Sequence, residues 1–138
     1  MRRAAATASR ILLNLSSIIL VAGAILHAFA YPKAAAAADQ STLPAFFQVA
    51  LKGLWLSDSL SSLLLGLALA GIAARPRLAA TPILLLLALT PFAQSLVLFS
   101  TVGNFIGSYL MMSAAACALL GTALRPTKTS DFARRVTS

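Results

Sequence analysis

Apolar residues run along this chain in four long blocks: Ile11 to Tyr31, Gly53 to Ala74, Ala79 to Thr101 and Gly103 to Leu124. Each block holds about 21 to 23 residues, enough to cross a roughly 30 Å hydrocarbon core as a helix. None alternates polar and apolar positions in the way barrel strands do. A helix also satisfies its backbone amides internally, which the bilayer core demands. The pattern predicts an all-α fold: one membrane domain over residues 1–138, a four-helix transmembrane bundle. The first block has some likeness to a signal peptide, with Arg2 and Arg3 before it and Ala28-Phe29-Ala30 near its end. Its apolar run is longer than a signal core, so it reads as a retained helix.

The connections differ in length. Pro32 to Lys52 is the longest and reads as an outer loop. Lys33 to Ala38 is alanine-rich and suits a helical turn. Asp39, Ser41 and Thr42 are helix-capping types, and Pro44 suits a first helical turn. A short helix is expected over Pro44 to Leu51, with a bend near Gly53 or a protrusion beyond the bilayer. Gly103-Asn104 marks a tight turn between the third and fourth blocks, which should form an antiparallel hairpin. Pro91 lies mid-block and should kink its helix. Residues 125–138 read as a polar, basic tail.

Small residues predict how the helices approach. Ser62, Gly66, Ala70 and Ala74 recur at steps of four in the second block. Ser113, Cys117 and Gly121 do so in the fourth, with Gly103 and Gly107 before them. Gly23, Ala24 and Ala28 form the corresponding set in the first.

Composition agrees with the bilayer as solvent. The chain is 59% hydrophobic and 10% charged, too apolar for a soluble domain of 138 residues. Its formal charge of +8 would suggest nucleic acid in a soluble chain. Here the basic residues flank the apolar blocks instead, so no nucleic-acid partner is expected. Arg2, Arg3 and Arg10 precede the first block, Arg75 and Arg77 lie between the second and third, and Arg125, Lys128, Arg134 and Arg135 follow the fourth. Four crossings put these regions on one side, which the positive-inside rule makes the cytoplasm. Both termini are therefore expected there, in a cell inner membrane of bacterial type. Cys117 is the only cysteine, which excludes an internal disulfide and dithiol chemistry.

Four polar residues fall at one level. With each block centred in the bilayer, His27, Asp58 and Ser108 lie about 9 Å toward the outside and Gln94 about 6 Å. The inner halves hold no comparable polar group. Asp58 precedes Ser62 by four residues and His27 follows Gly23 by four, so both should face protein rather than lipid. Ionisable residues within a span usually pair and mark function. Phe29, Tyr31, Phe46, Phe47, Trp55, Phe92, Phe99, Phe105 and Tyr109 all lie at or outside the membrane centre. Aromatic walls around a few hydrogen-bonding groups are what a pocket requires.

The predicted ligand-binding set is His27, Tyr31, Trp55, Asp58, Gln94, Asn104, Phe105, Ser108 and Tyr109. Two functions fit. One is non-enzymatic: an accessory subunit of a larger membrane complex, a homo-oligomer, or a hydrophobic-ligand or lipid-binding protein. A lipid, or a pigment or haem at His27, is the ligand to consider. The other is an enzyme or proton-handling protein with His27 and Asp58 as catalytic acid and base on a lipid-like substrate. A structural role, with the pair hydrogen-bonded across the first two helices to fix their register, competes with both readings and is favoured over the catalytic one. One His and one distant Cys give no metal site. No motif is specific enough to name a family.

Overall fold

The computed structural model describes residues 2–125. The predicted tail beyond Arg125 lies outside the described residues. The described chain is all-helical: α1 (Arg2–Asp39), α2 (Ala45–Ala74), a single 3-10 turn at Pro76–Leu78, α3 (Thr81–Thr101) and α4 (Ile106–Ala123). All four helices are long and apolar enough to cross a membrane.

The outer connection departs from expectation. α1 continues through Pro32 to Asp39 rather than ending at Tyr31. Pro32 removes only the bond to the Ala28 carbonyl, and the run Ala34–Ala38 has the highest helix propensity available. α2 starts directly after Pro44 and passes Gly53 without a break. The expected caps are placed differently too. Pro44 is the N-cap and makes no side-chain cap bond, while Ser41 Oγ donates to Ala38 O (2.7 Å) at the end of α1. Gln48 Nε2 ties the short connection by donating to Leu43 O (2.9 Å) and Ser41 O (3.3 Å). Lys52 pairs with Asp39, placing a cation beside a carboxylate at the negative end of α1.

At about 1.5 Å per residue, α1 is about 57 Å long and α2 about 45 Å. Both exceed the bilayer core. Beyond Tyr31 and Trp55 they continue as a paired projection that carries Phe46, Phe47 and Val49 exposed.

The packing order is α2–α1–α4–α3. α1 lies against both α2 and α4, α3 lies against α4, and α2 and α3 touch only sparsely. Close approach is set by glycine. A Cβ on Gly66 would stand 3.1 Å from Ser17 O on α1, and one on Gly121 would stand 3.1 Å from Ser9 O. The buried face of α1 is Ser9, Leu13, Ser16, Leu20 and Ala24. Two of its serines bond across to α4: Ser9 Oγ donates to Gly121 O (2.6 Å) and Ser16 Oγ to Ala114 O (2.8 Å). The half of the bundle nearer the N-terminus thus has polar contacts of its own, where the sequence predicts no comparable polar group.

The small-residue stripes hold in part. Ser62 and Gly66 are buried, but the face of α2 continues through Leu69 and Ala73 while Ala74 is exposed. Steps of four drift around a helix of 3.6 residues per turn, and a step of three corrects the drift. On α4, Ala114, Ala118 and Gly121 are buried whereas Ser113 is exposed.

Arg10 Nε donates to Ala73 O (2.9 Å), and Arg125 reaches Pro76 O. The three basic regions therefore meet at one end of the molecule. The hydrophobic core, including Leu13, Leu69, Ile72, Leu84, Ala88 and Ala118, fills that half. Toward the other end the helices open, and no residue of α2 before Ser59 is buried.

Candidate functional site

The opening between the helices forms a cavity of about 90 Å³ to which all four contribute. α1 supplies Leu20, Gly23, Ala24 and His27, and α2 supplies Asp58, Ser59 and Ser62. Leu98 comes from α3, Phe105 from the α3–α4 turn, and Gly107 and Met111 from α4.

One network sets the geometry. Trp55 lies flat on the His27 ring, with centroids 4.1 Å apart and planes 7° from parallel. Its Nε1 donates to the His27 carbonyl at 2.8 Å. The indole is therefore fixed by its edge and holds the imidazole by its face. Ser59 Oγ donates to Trp55 O, one turn back, at 3.2 Å. With its single proton committed there, Ser59 Oγ accepts from His27 Nδ1–H at 2.8 Å. This network assigns the Nδ1–H tautomer to the neutral imidazole and leaves Nε2 as an acceptor. Asp58 Oδ2 is 3.9 Å from the same Nδ1. That is ion-pair range, outside hydrogen-bond range.

Ser62 is one turn deeper on α2. It is 1% exposed, it lines the cavity, and its hydroxyl has no hydrogen-bond partner. Buried hydroxyls in folded proteins are nearly always satisfied. Gly23, opposite on α1, has open space where a Cβ would be.

Of the predicted residues, His27, Asp58 and Phe105 reach this cavity. Trp55 forms the backing of His27. Tyr31 and Trp55 also line a second, outer groove of about 340 Å³ between the projecting ends of α1 and α2. The remaining four do not line the cavity. Ser108 is buried and donates to Gly103 O (3.1 Å), stabilising the turn in which Gly103 takes a φ of 84°. Tyr109 is exposed and meets Phe99 edge-on, with centroids 5.3 Å apart. Asn104 is exposed at the turn. Gln94 is half-buried on α3 with its Oε1 unpartnered, one turn from Leu98. Sequence reasoning missed Ser59 as a site residue and took Ser62 and Gly23 for packing alone. The one available signal was their spacing: Ser59 and Ser62 follow Trp55 and Asp58 by four residues each.

The arrangement presents polar groups around a space too small for a whole ligand. Ordinary small-molecule pockets measure roughly 300–1,000 Å³. At about 90 Å³ the cavity is of head-group size. Among the described residues no three His, Cys, Asp or Glu side chains gather as metal ligands. No known protein family, curated protein sequence or solved structure matches the chain.

Proposed function

We propose that this chain spans a cell inner membrane four times and holds the polar end of a hydrophobic ligand in the outer half of its bundle, without transforming it. The observation that carries this reading is Ser62, a buried hydroxyl without a partner that lines a cavity shared by all four helices. An unsatisfied buried hydroxyl costs on the order of 1–3 kcal/mol, which a bound polar group recovers. The basic residues gathered at the other end support placing that end, and both termini, in the cytoplasm. The cavity then lies toward the outer leaflet.

The geometry favours binding over acid–base catalysis. A relay places the carboxylate and the reacting group on opposite ring nitrogens. Here Ser59 rather than Asp58 holds the Nδ1 hydrogen bond, and Asp58 at 3.9 Å lies outside hydrogen-bond range, so it does not orient the ring as a relay carboxylate does. An accessory-subunit role is favoured by a separate observation, the exposed Phe46 (74%) and Phe47 on the projection. Aromatic side chains held beyond a bilayer core suit the surface of a larger membrane partner.

Gly23→Leu tests the ligand reading. The new side chain enters the open space of the cavity, and replacing a helical glycine favours the helix by roughly 0.5–1 kcal/mol. Native mass spectrometry of protein purified in mild detergent should find a small amphiphile on the wild type and none on Gly23→Leu. The variant's melting temperature should be equal or higher. Equal ligand content in the two proteins, or none in either, contradicts the reading.

A further inference from the structure

We infer that the head group seated in this cavity is a small amine, held by Asp58 and Ser62, with its apolar tail leaving between α2 and α3. The inference rests on the ligand-binding reading above and names the ligand class.

The lining carries one carboxylate and no lysine or arginine. Acceptors outnumber donors. Asp58 offers two carboxylate oxygens, 45% of its side chain is exposed, and among the described residues the one basic side chain within 4 Å of it is His27, at 3.9 Å. In the Nδ1–H tautomer His27 leaves Nε2 as an acceptor, and the Ser59 proton is committed to Trp55 O. Ser62 Oγ has no partner, so its lone pairs are free to accept as well. A head group that only accepts, such as a ketone, meets mostly acceptors here. A carboxylate or phosphate also adds a second negative charge beside Asp58, where a low dielectric strengthens repulsion. An ammonium has three donors and no acceptor, and it neutralises Asp58. Its hydrogen bond to a carboxylate is charge-assisted and roughly twice as strong as a neutral one.

Size and exit agree. At about 90 Å³ the space takes a small head group rather than a whole amphiphile. The Phe105 ring lines the same space, and an aromatic face attracts a cation. α2 and α3 touch only sparsely, and Leu98 is the one α3 residue in the lining. That side gives the tail an apolar path to lipid.

Three probes with one tail and different heads test this: dodecylamine, dodecanol and dodecanoic acid. Binding to the purified full chain in detergent is read by titration calorimetry. The amine is expected to bind at least about tenfold more tightly than the alcohol, and the acid more weakly than either. Asp58→Asn should bring amine and alcohol within about threefold, chiefly by weakening the amine. Should that variant fail to fold, Ser62→Ala should weaken all three probes and keep their order. If the wild type binds amine and alcohol equally, or prefers the acid, the amine assignment falls while the ligand reading stands. If no probe binds, both fall.

Discussion

Gly66→Leu is expected to lower stability by about 3 kcal/mol, the upper end for overpacking a filled site. A Cβ at Gly66 would lie 2.8 Å from Val21 Cγ2, 3.3 Å from Leu20 Cβ and 3.1 Å from Ser17 O. The Val21 methyl can turn aside. The Ser17 carbonyl is backbone and moves only if α1 moves. Leucine then adds three carbons beyond that Cβ, so α1 and α2 must separate along their central contact. Thermal unfolding of the purified protein in detergent measures the loss. Gly23→Leu, on the same pair of helices, is the control, because its Cβ meets nothing within 4 Å. Equal losses in the two variants would show that glycine content, rather than the crossing at Gly66, governs stability.

Trp55→Ala is expected to cost about 2–3 kcal/mol, below the 3–5 typical of a fully buried tryptophan because Trp55 is only half-buried. It removes the ring stacked on His27 and the bond to the His27 carbonyl together. Without that plate the imidazole turns freely, and the Ser59 bond that assigns its tautomer is weakened. Ligand content should therefore fall more than the stability loss alone explains. Trp55→Phe should recover most of the stability through stacking but lack the indole N–H. Unfolding and native mass spectrometry on both variants separate the two contributions. Full ligand content in Trp55→Ala at a temperature where it is folded would show that His27 needs no backing.

The four apolar blocks were legible because the bilayer fixes the length of a spanning helix. His27 and Asp58 were legible because an ionisable group inside an apolar block is costly and needs a reason. The length of the outer projection was not. Pro32 read as the end of the first helix and Gly53 as a bend, yet the Ala34–Ala38 run carries α1 past Pro32 and α2 passes Gly53 unbroken. The order α2–α1–α4–α3 was hidden for another reason. A membrane helix is apolar on its lipid face as well as its packed face, so periodicity does not reveal which side is buried. On α4, small residues run all the way round from Ser113 to Ala118, and any face could have packed. Ser59 and Ser62 were overlooked as site residues because serine in a membrane helix usually serves close packing. Only the unpartnered Ser62 hydroxyl and the two bonds of Ser59 distinguish them.

The most direct test of a ligand held in the cavity is where a ligand-like probe rests. A dodecyl amphiphile with a diazirine next to its head, prepared both as amine and as alcohol, can be photolysed on the full chain in a bilayer and its adducts mapped by peptide mass spectrometry. The account predicts adducts on the peptides carrying Ser62, Leu98 and Met111, and their loss in Gly23→Leu. Adducts confined to Leu43 and Leu51 of the outer groove, or spread over exposed residues such as Leu86 and Val97, would contradict it.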